Sequence, residues 1–306
     1  MDVRRLDLLR ELAERGSITA VAAATHRTPS AVSQQLKVLE REAGLPLTER
    51  VGRGIQLTSA GHALARSAGE VAVALERATA LWDEFRNHPS GEVRLATFPS
   101  AGQVLLPQVL QEVSRTPGLI LACADGDHEL LDFPSLTADF DIVLAHSLRG
   151  ARAWGGRGLR VVPLMTEALD IALPADHRLA GRSYLTAGDV VDEPWIGVPI
   201  GFPFERILHD IEEAAGRQAT IFQRISDLRM VEAFVAAGLG VSLIPRSTSG
   251  GIDPSRVVLK PLRGVDTERD IVALLRPDTA ERLAVRTVLS ILQSKAAQIE
   301  AAHAAA

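Results

Sequence analysis

Three features of the 306-residue sequence predict an α/β chain headed by a winged, three-helix segment. Residues 16–61 hold two helix-start signals in close succession, then a glycine-flanked basic stretch. Residues 59–86 repeat apolar positions at about 3.5-residue spacing. From Glu92 onward, short apolar runs alternate with amphipathic stretches of helical period, which is how a mainly parallel sheet flanked by helices is written.

The first helix spans about Asp2 to Glu14 and stops at Gly16, because glycine takes a left-handed C-cap without a Cβ clash. Ser17 then offers its hydroxyl to the free N–H groups of a second helix, about Ile18 to Thr25. Thr28 followed by Pro29 repeats the signal for a third helix, cap residue first and proline at the first helical position. In that helix Val32, Leu36 and Leu39 form the buried stripe, so Ser30, Ser33, Gln34 and Lys37 point elsewhere. A helix that buries one face and offers small hydrogen-bonding groups on the other, just after a tight turn, fits a DNA recognition helix. Gln34 can pair with adenine through two hydrogen bonds, and serine hydroxyls can reach bases or phosphates. Arg50 and Arg53, flanking Gly52 and Gly54, sit where a wing can approach a minor groove. The candidate DNA contacts are therefore Thr28, Ser30, Ser33, Gln34, Lys37, Arg50 and Arg53.

Thr58 caps a long helix running to about Arg86, closed by Asn87-His88-Pro89-Ser90-Gly91. Along it Leu64, Ala68, Val71, Leu75, Ala78, Trp82 and Phe85 alternate at spacings of four and three, a coiled-coil seam suited to dimerisation. The domains expected are 1–58, a winged helix-turn-helix; 59–90, a linker and dimerisation helix; and 91–306, an α/β domain. Within the last, strands are expected at 92–98, 119–124, 140–145, 159–164, 168–173, 195–198, 220–225, 241–244, 257–261 and 270–275. Helices are expected near 101–115, 203–215, 227–237 and 279–297, and the closing AAQIEAAHAAA reads as a frayed tail.

Composition narrows the function. The net charge of −5 is uneven: residues 1–90 hold 12 Lys+Arg against 11 Asp+Glu (+1), residues 91–306 hold 21 against 27 (−6). Within 27–66 six basic residues face three acidic ones, and phosphate attraction depends on density within about 10 Å, so double-stranded DNA suits this end. No apolar run of about 18 residues suggests a membrane span. The charged start lacks a secretory apolar region, and the single cysteine, Cys123, excludes an intramolecular disulfide; both suit a reducing cytoplasm. The apolar neighbours of Cys123 suggest a buried structural thiol. No cofactor is indicated: the eight histidines show no ligand spacing, and no GxSxG or phosphate-cradling loop occurs. Asp125-Gly126-Asp127-His128-Glu129 is acidic but lacks the further ligands of a calcium loop.

Gly16-Ser17-Ile18, Val21-Ala22, Ser30-Ala31-Val32-Ser33, Leu39-Glu40, Gly44, Leu47, Arg50 and Leu57-Thr58-xx-Gly61 resemble, in order and spacing, the amino-terminal domain of LysR-type transcriptional regulators. Weaker patterning of that kind continues to about residue 295. Thr25 and Thr48 stand where that family usually has leucine and phenylalanine, and Pro29 where it often has a base-contacting glutamine. The resemblance implies an effector domain of two α/β lobes similar to periplasmic binding proteins, joined by two crossing strands. Lobe I would be about 91–162 plus 267–297 and lobe II about 163–266, with Pro163 and Pro261 near the crossings. It also implies a homodimer or homotetramer on DNA, a small-molecule effector between the lobes, and RNA polymerase as a further partner. Ser100 matches the family's ligand-contacting Ser/Thr position. It opens a helix after Thr97-Phe98, whose free N–H groups with Ala101 favour an anion, so a small organic or aromatic acid is the expected effector. Phe202 and Phe204 would form the opposite wall, with His146-Ser147 after the 140–145 strand and Ser226-Asp227 capping the helix at 227 as further candidates. The alternative is a solute-binding protein or enzyme carrying a helical oligomerisation module, which the recognition helix and basic wing oppose.

Overall fold

A computed structural model describes residues 1–52, 54–86, 89–126, 133–148, 154 and 158–304. The amino-terminal unit contains α1 (Val3–Arg15), α2 (Ile18–Ala24), α3 (Pro29–Ala43), β1 (Thr48–Val51), β2 (Gly54–Leu57) and the start of α4 (Ser59–Phe85). Its local signals act as their chemistry dictates. Gly16 takes φ 70° at the end of α1. The Ser17 side chain accepts from the Ala20 amide, Thr28 from Ala31 and Thr58 from Gly61. Leu9, Leu12, Val21, Val32, Leu36, Leu39 and Leu47 form the core, with Ala65 and Ala68 of α4 packed against it. Glu40 ties the wing down, accepting from the Leu47 and Thr48 amides and from the Thr48 hydroxyl at 2.9–3.0 Å. Threonine at 48 thus does by hydrogen bonding what an apolar residue would do by packing. A Cβ on Gly61 would lie 2.1 Å from the Leu47 carbonyl oxygen, so only glycine lets α4 approach the wing this closely.

The second unit has β3 (Gly91–Thr97), α5 (Pro99–Val113), β4 (Leu119–Asp125), α6 (Phe133–Leu136), β5 (Ile142–Ser147) and β6 (Arg160–Pro174). There follow β7 (Leu185–Thr186), α7 (Ala187–Val190), β8 (Pro194–Gly197), α8 (Glu205–Ala215), β9 (Thr220–Arg224), α9 (Leu228–Ala236) and β10 (Ser242–Pro245). The chain ends with β11 (Val257–Lys260), β12 (Leu262–Arg263), β13 (Glu268–Leu275) and α10 (Leu283–Ala304). The large sheet runs β10-β6-β13-β5-β3-β4, with β11 also on β6. Only β4, β3 and β5 are mutually parallel in it; β13, β6, β10 and β11 pair antiparallel. The expected mainly parallel sheet is therefore a mixed one, because the chain crosses to the second lobe and returns.

Instead of two strands at 159–164 and 168–173, β6 is one 15-residue strand. Up to Ala168 it pairs with β13, and from Leu169 onward with β10 and β11. The hand-over thus lies several residues beyond Pro163. Separate apolar clusters fill the two lobes on either side of it, one around Leu95, Leu144 and Val272, the other around Leu173, Trp195 and Ile211. The supposed frayed tail is mostly helix: α10 reaches Ala304 because Leu292 and Ala296 are buried against the first lobe. Cys123 is exposed, not buried, because β4 is the outermost strand of the sheet.

The two units touch through charge pairs. Arg276 donates to Glu11 at 3.1 Å and Glu14 at 2.8 Å, Arg10 pairs with Asp278 at 3.0 Å, and Arg15 donates to Asp139 at 2.9 Å. Among the described residues, no helix is long and apolar enough to cross a membrane.

Candidate functional site

The helix-turn-helix offers one polar face. Burial of Val32, Leu36 and Leu39 against α1 and α2 turns Ser30, Gln34 and Lys37 outward, while Ser33 is half-buried at the edge of that face. Thr28 and Ser30 bond each other at 3.0 Å, and Thr28 also caps the helix, so both hydroxyls already serve the turn. His26 takes the left-handed conformation, φ 53°, in the turn between α2 and α3. In the wing, Arg50 pairs with Ile55 in register and is exposed. Arg53 lies outside the described residues.

A cavity of about 260 Å³ opens between the lobes beside the crossing strands. Its walls include Phe98, Ser100 and Asp125 of the first lobe, and Phe202, Phe204, Ser226 and Asp227 of the second. Seven expected contacts are thus brought together: Phe98, Ser100, His146, Phe202, Phe204, Ser226 and Asp227. Thr97, Ala101 and Ser147 are buried but do not line it. Thr97 donates to the Phe98 carbonyl, and alternation along β5 gives the cavity His146 in place of its neighbour Ser147.

The floor of the cavity holds a residue the sequence reading missed. Arg269 donates from Nε (2.7 Å) and Nη2 (2.5 Å) to Glu167, its register partner on β6, and from Nη2 to Ser100 Oγ at 2.9 Å. Both charged side chains are 1% exposed. Glu167 also accepts from the Ser247 amide at 3.2 Å and from the Ser247 hydroxyl, in the turn after β10. Next to it Arg246 grips Asp170 with two hydrogen bonds of 2.7 and 2.8 Å. The chain Ser100–Arg269–Glu167–Ser247 therefore runs from the first lobe, across both crossing strands, to the second. Glu167 and Arg269 each share a strand with other charged residues, Asp170 in β6 and Glu268 and Asp270 in β13, so the sequence carries no distinct signal for the pair.

His146 packs edge-on against Phe98 at 4.7 Å and beside Phe204 at 5.2 Å. Burial, and secondly the Arg269 charge, push its pKa down to about 3, so the ring is neutral. Its Nδ1 is buried without a hydrogen bond among the described residues. Arg269 lies over the Phe98 and Phe204 rings at 5.2 and 5.1 Å. Among the described residues no group of His, Cys, Asp and Glu could hold a metal; Asp127, His128 and Glu129 lie outside them.

Comparison with known proteins matches residues 3–62 to the bacterial regulatory helix-turn-helix protein, lysR family, and residues 86–297 to the LysR substrate binding domain. The transcriptional dual regulator GltC of Bacillus subtilis is 27% identical over 282 residues, 92% of each chain. A probable hydrogen peroxide-inducible genes activator of Mycobacterium avium is 30% identical over 238 residues, 77% of this chain and 75% of the relative. Among solved structures, a point variant of full-length OxyR from Pseudomonas aeruginosa superposes with TM-score 0.65 at 21% identity, covering 96% of this chain and 98% of that one. CbnR complexed with its target DNA gives TM-score 0.54 at 22% identity, covering 97% and 100%.

Proposed function

The chain belongs to the LysR family of DNA-binding transcriptional regulators with an effector-binding domain, and from that premise we propose which of its groups read DNA and sense the effector. Ser33, Gln34 and Lys37 on α3 read the major groove, and Arg50 with Arg53 of the wing holds the flanking backbone or minor groove. The effector sits in the cavity between the lobes, where Ser100 and Arg269 meet. The observation that carries this reading is the hydrogen-bonded chain from Ser100 through Arg269 and Glu167 to Ser247, which links the cavity wall of the first lobe to the turn after β10 in the second. A ligand that binds one arrangement of this chain better than another shifts an existing equilibrium between lobe geometries. In a dimer or tetramer built on α4 that shift re-spaces paired recognition helices, altering DNA bending and the approach of RNA polymerase. The protein works in the cytoplasm and catalyses no reaction. Peroxide sensing through an intramolecular disulfide is closed to it: Cys123 is its single cysteine.

Three expected results test the assignments. Gln34→Ala costs about 1–3 kcal/mol at the specific site and relaxes preference at one base position. Arg50→Ala weakens binding to all sequences and lowers the salt slope by about one unit. Titrations on matched and scrambled duplexes at several salt concentrations separate the two; unchanged affinity in both variants removes the recognition assignment. Ser100→Ala, which deletes an acceptor for Arg269 and a donor into the cavity, weakens effector response by about 1–3 kcal/mol while leaving effector-free DNA affinity nearly unchanged. Reporter dose–response curves beside gel-shift titrations check it, and an unshifted curve would move the site elsewhere.

A further inference from the structure

The polar groups in the cavity are uneven in a way that bears on what it holds. Arg269 carries the positive charge on the floor, and Glu167, buried with it, matches that charge at two hydrogen bonds. The other charged side chains on the described lining, Asp125 and Asp227, are both acidic. A carboxylate entering here would meet a guanidinium already matched by Glu167, with the only other charges on the described lining the two exposed carboxylates of Asp125 and Asp227. An ammonium would meet the Arg269 charge on the rings of Phe98 and Phe204, the faces it would itself need.

Two groups nevertheless await a partner. His146 makes no hydrogen bond among the described residues, although its ring lines the cavity and its Nδ1 is buried. A neutral imidazole with one ring nitrogen buried and unbonded is costly unless something bonds it. Ser100 accepts from Arg269, and its own hydroxyl hydrogen has no acceptor among the described residues. Around these two lie the rings of Phe98, Phe133, Phe202 and Phe204, in about 260 Å³, just below the ~300–1,000 Å³ of ordinary ligand pockets.

We propose that this cavity takes a small, flat, uncharged molecule, an aromatic amide or similar, which accepts from Ser100, bonds His146 and slots between the phenylalanines. This rests on the reading of the cleft as the effector site, and it departs from the acid that the α5 N-terminus alone suggests. The balanced pair beneath Ser100 outweighs that N-terminus, because the Arg269–Glu167 pair leaves no full positive charge for an anion. A neutral head group meets the open hydrogen-bonding sites without adding charge.

The test uses the full-length protein and three head groups on one ring: benzamide, benzoate and benzylamine, then the same three on pyridine, measured by calorimetry and ligand-observed NMR at pH 7.5. The carboxamides are expected to bind at least tenfold more tightly than the matched carboxylates and amines. His146→Phe, which keeps an aromatic ring and loses its nitrogens, should weaken the amides about tenfold. Carboxylates or amines binding as tightly as the amides, amides indifferent to His146→Phe, or no binding anywhere in the series would each overturn the proposal. A parallel arm adds the bound amide to the protein on a duplex selected from a random pool. Amides that bind but leave the DNA complex unaltered would sink the regulatory reading of the cleft and spare this one. Acids that bind and shift the complex would do the reverse.

Discussion

Glu167→Ala is expected to lower the stability of the two-lobed unit by about 3–5 kcal/mol, more than any other single truncation in the cavity. The cause is the charge left behind. Arg269 is 1% exposed, and without Glu167 it keeps, among the described residues, only Ser100 and two aromatic faces for company. Removing one partner of a buried pair strands the other in a medium where an unmatched ion costs several kcal/mol. The Ser247 amide and hydroxyl lose their acceptor as well, so the turn after β10 comes loose from the crossing strands. Replacing both members, as in Glu167→Leu with Arg269→Met, removes the stranded charge and should recover most of the loss. Scanning calorimetry on the wild type, the single and the double variants gives the ordering. At roughly 2–4 °C per kcal/mol for a unit of this size, the single variant melts about 10 °C lower. A double variant no more stable than the single one would mean that the pair is not electrostatically coupled. If the buried chain also carries the signal, the double variant folds and binds DNA but no longer responds to effector.

The features legible in the sequence were those written locally. Ser17, Thr28 and Thr58 each act within three residues of themselves, so side-chain type and position were enough to locate three helix starts. The phenylalanines at 98, 202 and 204 and the serine at 100 were found because each stands beside a strand-to-helix turn. Arg269 was not, since its partner is 102 residues away and the two meet only through the β6–β13 register. Neither residue reads as functional alone: each is one of several charges in its strand. The sheet's direction is not written locally either, for a related reason. Alternating strands and helices imply parallel pairing only while the chain stays in one sheet, and β6 and β13 belong to the crossing instead. The exposure of Cys123 likewise depends on strand order, with β4 outermost, which no local pattern encodes.

Replacing Leu75 with glutamate is expected to dissociate the protein. The seam along α4 divides in two: Leu64 and Ala68 pack into the helix-turn-helix core, whereas Val71, Leu75, Trp82 and Phe85 are 40%, 54%, 61% and 82% exposed. The last two stack at 5.7 Å, extending the apolar stripe to the end of the helix. We propose that these four large apolar side chains, spaced four, seven and three apart on one helical face with Ala78 between the middle pair, are half of an interface that a second copy of the same helix completes. At Leu75, the middle of that stripe, a carboxylate must either be buried unpaired against its symmetry mate or hold the helices apart. A penalty of about 3–4 kcal/mol across the interface raises the dissociation constant roughly 10²–10³-fold. Because each monomer brings one α3, dissociation also removes one of two linked groove contacts, so affinity for a two-half-site duplex falls far more than affinity for a single half-site. Sedimentation of the full-length chain with and without Leu75→Glu decides the matter, with Leu75→Met as the variant that keeps volume and apolarity and should remain associated. A monomeric wild type, or a glutamate variant with an unchanged dissociation constant, would mean that α4 does not carry the interface and that the recognition helices are paired by some other surface.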